Sequence, residues 1–149
     1  MTTKTLTKSE FLKKESLEQL YDECKVWLSE IELCIVDMKF NQDIFDEYYS
    51  DMTTVHKLGE LNFLKKELNA LSVKLNNMQK KIIGQEKQVF EIIENAFSHD
   101  EQAFRDEHEK LQGTVQLLQI EMKELKKKVF LYSEEVMKKK KKKEKIFIE

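Results

Sequence analysis

The sequence predicts an all-α protein, an antiparallel up-down-up three-helix coiled-coil bundle with a frayed basic C-terminal tail. Three observations predict it. The 149 residues include three glycines and no proline, so little in the chain interrupts a helix. Apolar residues recur at alternating steps of three and four over three long stretches, the spacing that lines one side of a heptad helix. The stretches are matched in length and joined by short polar breaks, which favours helices folding back on one another.

The expected helices cover about 8–55, 60–97 and 99–137, forming a single unit over 1–137, and residues 138–149 form the tail. In the first helix the seam reads Leu17, Leu20, Cys24, Trp27, Ile31, Cys34, Met38, Asn41, Phe45, Tyr48, Met52 and Val55, with Asn41 its one strongly polar member. Tyr21, Leu28, Ile35 and Tyr49 widen this stripe, as a helix touching two neighbours requires. Thr7-Lys-Ser-Glu10 has capping-box spacing and is read as the start of this helix.

Continuing the first register from Val55 would place the next seam residue at Gly59, yet the pattern resumes at Leu61; the mismatch, with Thr53, Thr54 and Gly59, marks a turn. The second seam runs Leu61, Leu64, Leu68, Leu71, Leu75, Met78, Ile82, Gln85, Val89, Ile92 and Ala96. Ser98-His-Asp-Glu101 then offers a second capping box. The third seam reads Phe104, His108, Leu111, Val115, Leu118, Met122, Leu125, Val129, Tyr132 and Val136. At 1.5 Å per residue each helix is about 55 Å long. The shape resembles, in architecture alone, the spectrin-type three-helix repeat.

Composition removes several functions. With 26 basic and 28 acidic residues the net charge is −2, so bulk electrostatics names no partner. Charge is uneven along the chain, however: residues 1–60 hold seven basic and 13 acidic side chains, and 138–149 hold seven and two. The first fourteen residues contain no apolar run of the kind a signal peptide needs, and nowhere do 18 apolar residues follow one another. A cytoplasmic location is expected. Cys24 and Cys34 fall about 15 Å apart along one helix, too far to bridge, and free thiols suit a reducing compartment.

Catalysis is not expected. His56 falls at the first turn, His99 in the cap of the third helix and His108 on a seam, and no nucleophile elbow, phosphate-binding glycine loop, His-Glu-x-x-His or Glu-x-x-His spacing occurs. Folding the chain at its two turns brings His108 level with Cys24. Two ligands are short of the four that structural zinc takes, so no metal or cofactor is expected, and His108 is read as a partly exposed seam residue. Asn41 and Gln85 are read as polar seam residues that fix register. Gly84 and Gly113 lie away from the seams, on the surface.

The feature with an external partner is the lysine run: Lys138, Lys139, Lys140, Lys141, Lys142 and Lys143, with Lys145 beyond it. Like charges at i and i+4 disfavour helix, so this tail is expected to fray. Six cations attract polyanions, and neutralising six phosphates implies a log–log salt slope of about −5 on duplex DNA. Anionic membrane is equally eligible, with Phe147 available to insert. Arg105 is the sole arginine, so bidentate guanine readout is nearly absent and nucleic-acid binding would be non-specific. The leading expectation is a non-catalytic bundle acting by protein contact as scaffold, adaptor or assembly partner. The alternative is attachment to nucleic acid or anionic membrane through the lysine run. A weak homodimer also satisfies the heptad pattern.

Overall fold

The computed structural model describes residues 16–95 and 100–148, with side chains through Lys145. Among the described residues the chain forms three helices and no strand: α1 (Leu17–Met52), α2 (Leu58–Glu94) and α3 (Glu101–Ile148). Each helix packs against the other two.

The three seams are what the packing buries. On α2 every seam residue from Leu61 to Ile92 is buried, Gln85 included; Ala96, the last expected one, lies outside the described residues. On α3 the buried residues run from Phe104 to Val136, with Tyr132 half-buried. On α1 the core residues are Leu20, Cys24, Trp27, Ile31, Met38, Asn41, Phe45 and Met52. Its flank of Tyr21, Leu28, Ile35 and Tyr49 is half-buried against the same core. Full burial of one large apolar side chain is worth about 1.5–3 kcal/mol, so the seams dominate the folding energy.

Polar contacts show how the helices lie beside one another. Gln42 of α1 donates to Asn69 of α2 at 3.2 Å, and Tyr49 donates to Asn62 at 3.3 Å, so numbers rising along α1 meet numbers falling along α2. Against α3, Glu30 meets Gln119 at 2.8 Å, Asp37 meets Lys126 at 3.3 Å and Asp51 meets Lys140 at 3.0 Å, both numbers rising together. Glu67 and Lys74 of α2 pair with Lys128 and Glu121 of α3.

Helix ends follow local chemistry. α1 is capped by Ser16, whose side chain accepts from the Gln19 amide at 3.2 Å while Gln19 accepts from the Ser16 amide at 2.9 Å, a complete capping box. The expected box at Thr7 to Glu10 lies outside the described residues. α1 stops at Met52 rather than near 55. Thr53 and Thr54 are β-branched, and their hydroxyls donate to the Ser50 and Asp51 carbonyls at 2.5 and 2.7 Å, competing with continued helix. Val55, expected on the seam, is therefore in the turn and 39% exposed. Gly59, expected to make the turn, instead sits in the first turn of α2 without a positive φ. The turn is held to α3 by His56, which stacks on Tyr132 at 3.8 Å and lies 2.6 Å from Glu135. At the start of α3, Asp100 accepts from the Ala103 amide at 3.0 Å; Ser98 and His99 lie outside the described residues.

The largest correction is at the C-terminus. α3 does not end near 137 and fray; it continues through the lysines to Ile148. Lysine is a good helix former, and two of the like charges are paired while a third is hydrogen-bonded. Lys138 pairs with Glu134 one turn back at 2.9 Å, Lys139 donates to the Thr54 carbonyl at 3.1 Å and Lys140 pairs with Asp51.

Two measurements check this packing. Trp27 is 7% exposed and lies 4.4 Å, centroid to centroid, from the His108 ring. Trp27→Ala should cost about 3–5 kcal/mol in denaturant unfolding; below about 1 kcal/mol the register is wrong. Gly84 and Gly113 face open space, where an added methyl meets nothing within 4 Å. Each glycine-to-alanine change should stabilise by about 0.5–1 kcal/mol, and destabilisation would mean that this face is covered.

Candidate functional site

The lysine end of α3 is positioned by the end of α1. Carbonyls at a helix C-terminus carry partial negative charge, and α1 has no basic residue in its own last turn. Lys139 and Lys140 supply that cation from across the bundle, and Lys140 also lies 5.9 Å from the Tyr48 ring. The Lys138 and Lys140 ammonium groups are held above their ordinary pKa, first by their hydrogen bonds to Glu134 and Asp51 and then by those charges. Of the seven basic residues expected to act together, three are thus engaged within the protein. Lys141, Lys142, Lys143 and Lys145 are exposed on helix that extends beyond Lys140, where α1 has ended. The side chains of Ile146, Phe147 and Ile148 lie outside the described residues.

A second cluster lies at the opposite end. The fold brings Cys24 Sγ within 4.0 Å of His108 Nδ1, while His108 Nε2 lies 2.7 Å from the Glu23 carboxylate. With the imidazole neutral, Nε2–H donates to Glu23, leaving Nδ1 to accept weakly from the thiol. Trp27 and Phe104 close over the ring, centroids at 4.4 and 5.9 Å. His108 is 4% exposed, so it is buried and not partly exposed as expected; its carboxylate partner makes burial affordable. The sequence pattern pairs Cys24 with His108 but gives no prominence to Glu23. The available signal is its position one residue before Cys24, on the side of α1 whose Glu30 and Asp37 also face α3.

The order Cys-His-Glu resembles a nucleophile, base and orienting acid, but the electrostatics run the other way. Burial first, then the negative charges of Glu86 and Glu23, push the Cys24 thiol up to about 12. A nucleophilic cysteine needs a low pKa and access to substrate, and Cys24 is 0% exposed. Cys34 is also raised, by burial and then by Asp37 and Glu30 against the opposing Lys126. Among the described residues no group of three or more His, Cys, Asp and Glu is placed to hold a metal.

The buried polar residues find hydrogen-bond partners within the bundle. Asn41 donates to the Asp37 carbonyl at 2.7 Å, Gln85 to the Phe104 carbonyl at 3.4 Å and Ser133 to the Val129 carbonyl at 2.8 Å. A groove of about 240 Å³ between α2 and α3 is floored by Leu71 and Leu125, and the Lys74–Glu121 and Lys128–Glu67 pairs stand among its walls. Four of its five charged side chains are thus paired with each other, Glu124 being the fifth. No described helix is long and apolar enough to cross a membrane.

One surface feature was not anticipated. Val26, Leu33, Val36 and Phe40 form an exposed apolar stripe on α1, away from the seam. Its seven-residue spacing is visible in the sequence but is masked by the stronger seam on the same helix. No family model, curated protein or solved structure matches the chain.

The buried thiol predicts a pH response. The folded-state pKa is raised from an ordinary value near 9.0 to about 12. Its contribution to stability is therefore complete below about pH 9 and is lost as pH rises towards 12. The melting temperature should fall more steeply between about pH 8.5 and 10.5 for the native chain than for Cys24→Ala. Equal slopes would show that Cys24 ionises freely.

Proposed function

We propose that this chain is a non-catalytic, antiparallel up-down-up three-helix bundle with heptad packing, which acts through protein contacts as a scaffold, adaptor or assembly partner. The observation that carries this reading is the apolar stripe on α1. Four large side chains more than half exposed on one side of one helix are an unusual use of surface unless something covers them. The seam residues close the bundle inward, and the stripe is surplus to that closure. Free cysteines at 24 and 34 accord with a reducing, cytoplasmic setting. Leu33→Ser with Phe40→Ser should leave the melting temperature unchanged, since both side chains are exposed, and should remove specific proteins retained from an extract of the native cell. If retention is unchanged, this face is not the contact surface.

A second reading is favoured by the lysines beyond the end of α1: attachment to a polyanion, nucleic acid or anionic membrane, without sequence preference. Three of the seven cations already serve the bundle, which leaves four. The expected salt slope on duplex DNA therefore drops from about −5 to between about −3 and −4. Replacing Lys141, Lys142, Lys143 and Lys145 with glutamine should flatten this slope and release anionic vesicles. Binding unaltered by the substitution, or preferring one DNA sequence by more than about tenfold, contradicts this reading.

A further inference from the structure

We propose that the outer stripe of α1 docks a second copy of this chain, α1 packing antiparallel on α1. This rests on the protein-contact reading above and names the partner. Val26, Leu33 and Phe40 recur every seven residues, and Val36 lies three beyond Leu33, so the four line one side of the helix over about 21 Å. They are 54, 65, 63 and 65% exposed in that order. Placing Leu33 of one copy opposite Val36 of the other generates the reciprocal contact by the two-fold axis. The same alignment sets Phe40 opposite Ser29, an exposed small residue that leaves room for the ring, and Val26 opposite Asp43, with Asp22 opposite Glu47 beyond them.

Charge along one flank of the stripe is complementary to itself, as a second copy requires. Beside the stripe, Lys25, Glu32, Lys39 and Asp46 also recur every seven residues, alternate in sign and are all exposed. A two-fold interface must be complementary to itself. In the antiparallel alignment Lys25 faces Asp46 and Glu32 faces Lys39, and the axis repeats both pairs, giving four attractions. A parallel, in-register pairing sets Lys25 towards Glu30 but Glu32 against Asp37 and Lys39 beside Ile44, so it offers two attractions where the antiparallel pairing offers four. On the other flank Glu30 and Asp37 of the two copies approach each other. Lys126 neutralises Asp37 within each subunit, while Gln119 donates to Glu30 and leaves its charge in place, so the repulsion is reduced on the Asp37 side.

So short a contact makes a weak dimer, and sedimentation equilibrium of the full chain from about 1 μM to 1 mM covers the relevant range. The native chain should show a monomer–dimer equilibrium. Leu33→Asp should abolish it with an unchanged melting temperature. Glu32→Lys, which puts two lysine pairs in the interface, should weaken dimerisation by at least about tenfold, and adding Lys39→Glu should restore it. A native chain monomeric throughout overturns the proposal, as does failure of the charge swap to restore pairing. Tighter association of Glu32→Lys would assign the parallel arrangement and also overturn it. If the chain is monomeric while Leu33→Asp still loses a protein retained from cell extract, a different chain occupies the stripe and the protein-contact reading stands. If it is monomeric and retention is unchanged, both fall.

Discussion

A helix whose apolar residues repeat at steps of three and four cannot remove them from water by itself. Each of the three helices here carries such a seam along most of its length, and the other two cover it. Helix propensity alone is a weak force, so packing of the seams holds the backbone as well as the side chains. The polar residues admitted to the seams follow the same constraint. Asn41 and Ser133 turn back to their own helix's carbonyls, Gln85 reaches the start of α3, and His108 takes a carboxylate from α1. Each occupies a buried position with a hydrogen-bond partner, at some cost in packing and with some gain in register.

Electrostatics settles the ends of the bundle where the seams run out. α1 ends at Met52, ahead of two threonines, and has no basic residue in its last turn. α3 is longer, and its first lysines reach that terminus while the later ones extend past it. One run of identical residues is thereby divided into a structural part and an exposed part. At the other end half-buried Glu23 joins buried Cys24 and His108, and burial first, then the acidic neighbours, keeps the thiol protonated. Three residues that follow a catalytic order when named are here a thiol with a raised pKa, an imidazole and a carboxylate in contact.

The seams are legible in the sequence because heptad spacing sustained over many turns arises from little besides a packed helical seam. Nearly every described position read as core, from Leu20 to Val136, is buried or half-buried. Ser16 and Gln19 carry the capping signature just as plainly, but the similar spacing at Thr7 competes with it. The continuous lysine helix is hidden from a local reading, which counts the repulsion between neighbours and not the acidic and carbonyl partners at the end of α1 and in the turn after it. Those partners are more than 80 residues away in sequence and are brought near only by the fold. Glu23 is obscured for the same reason. The α1 stripe differs, because there one periodicity masks a weaker one on the same helix.

The central claim is that the seams close within one chain, with the start of α3 packed on the start of α1. Trp27 is the single tryptophan, and its ring lies 4.4 Å from that of His108, so the contact is unambiguous to a proton spectrum. An isotope-filtered nuclear Overhauser experiment on mixed labelled and unlabelled chains measures it directly. The account predicts strong cross-peaks between the Trp27 indole and His108 imidazole protons within one chain. Their absence, or their appearance solely between differently labelled chains, would contradict it.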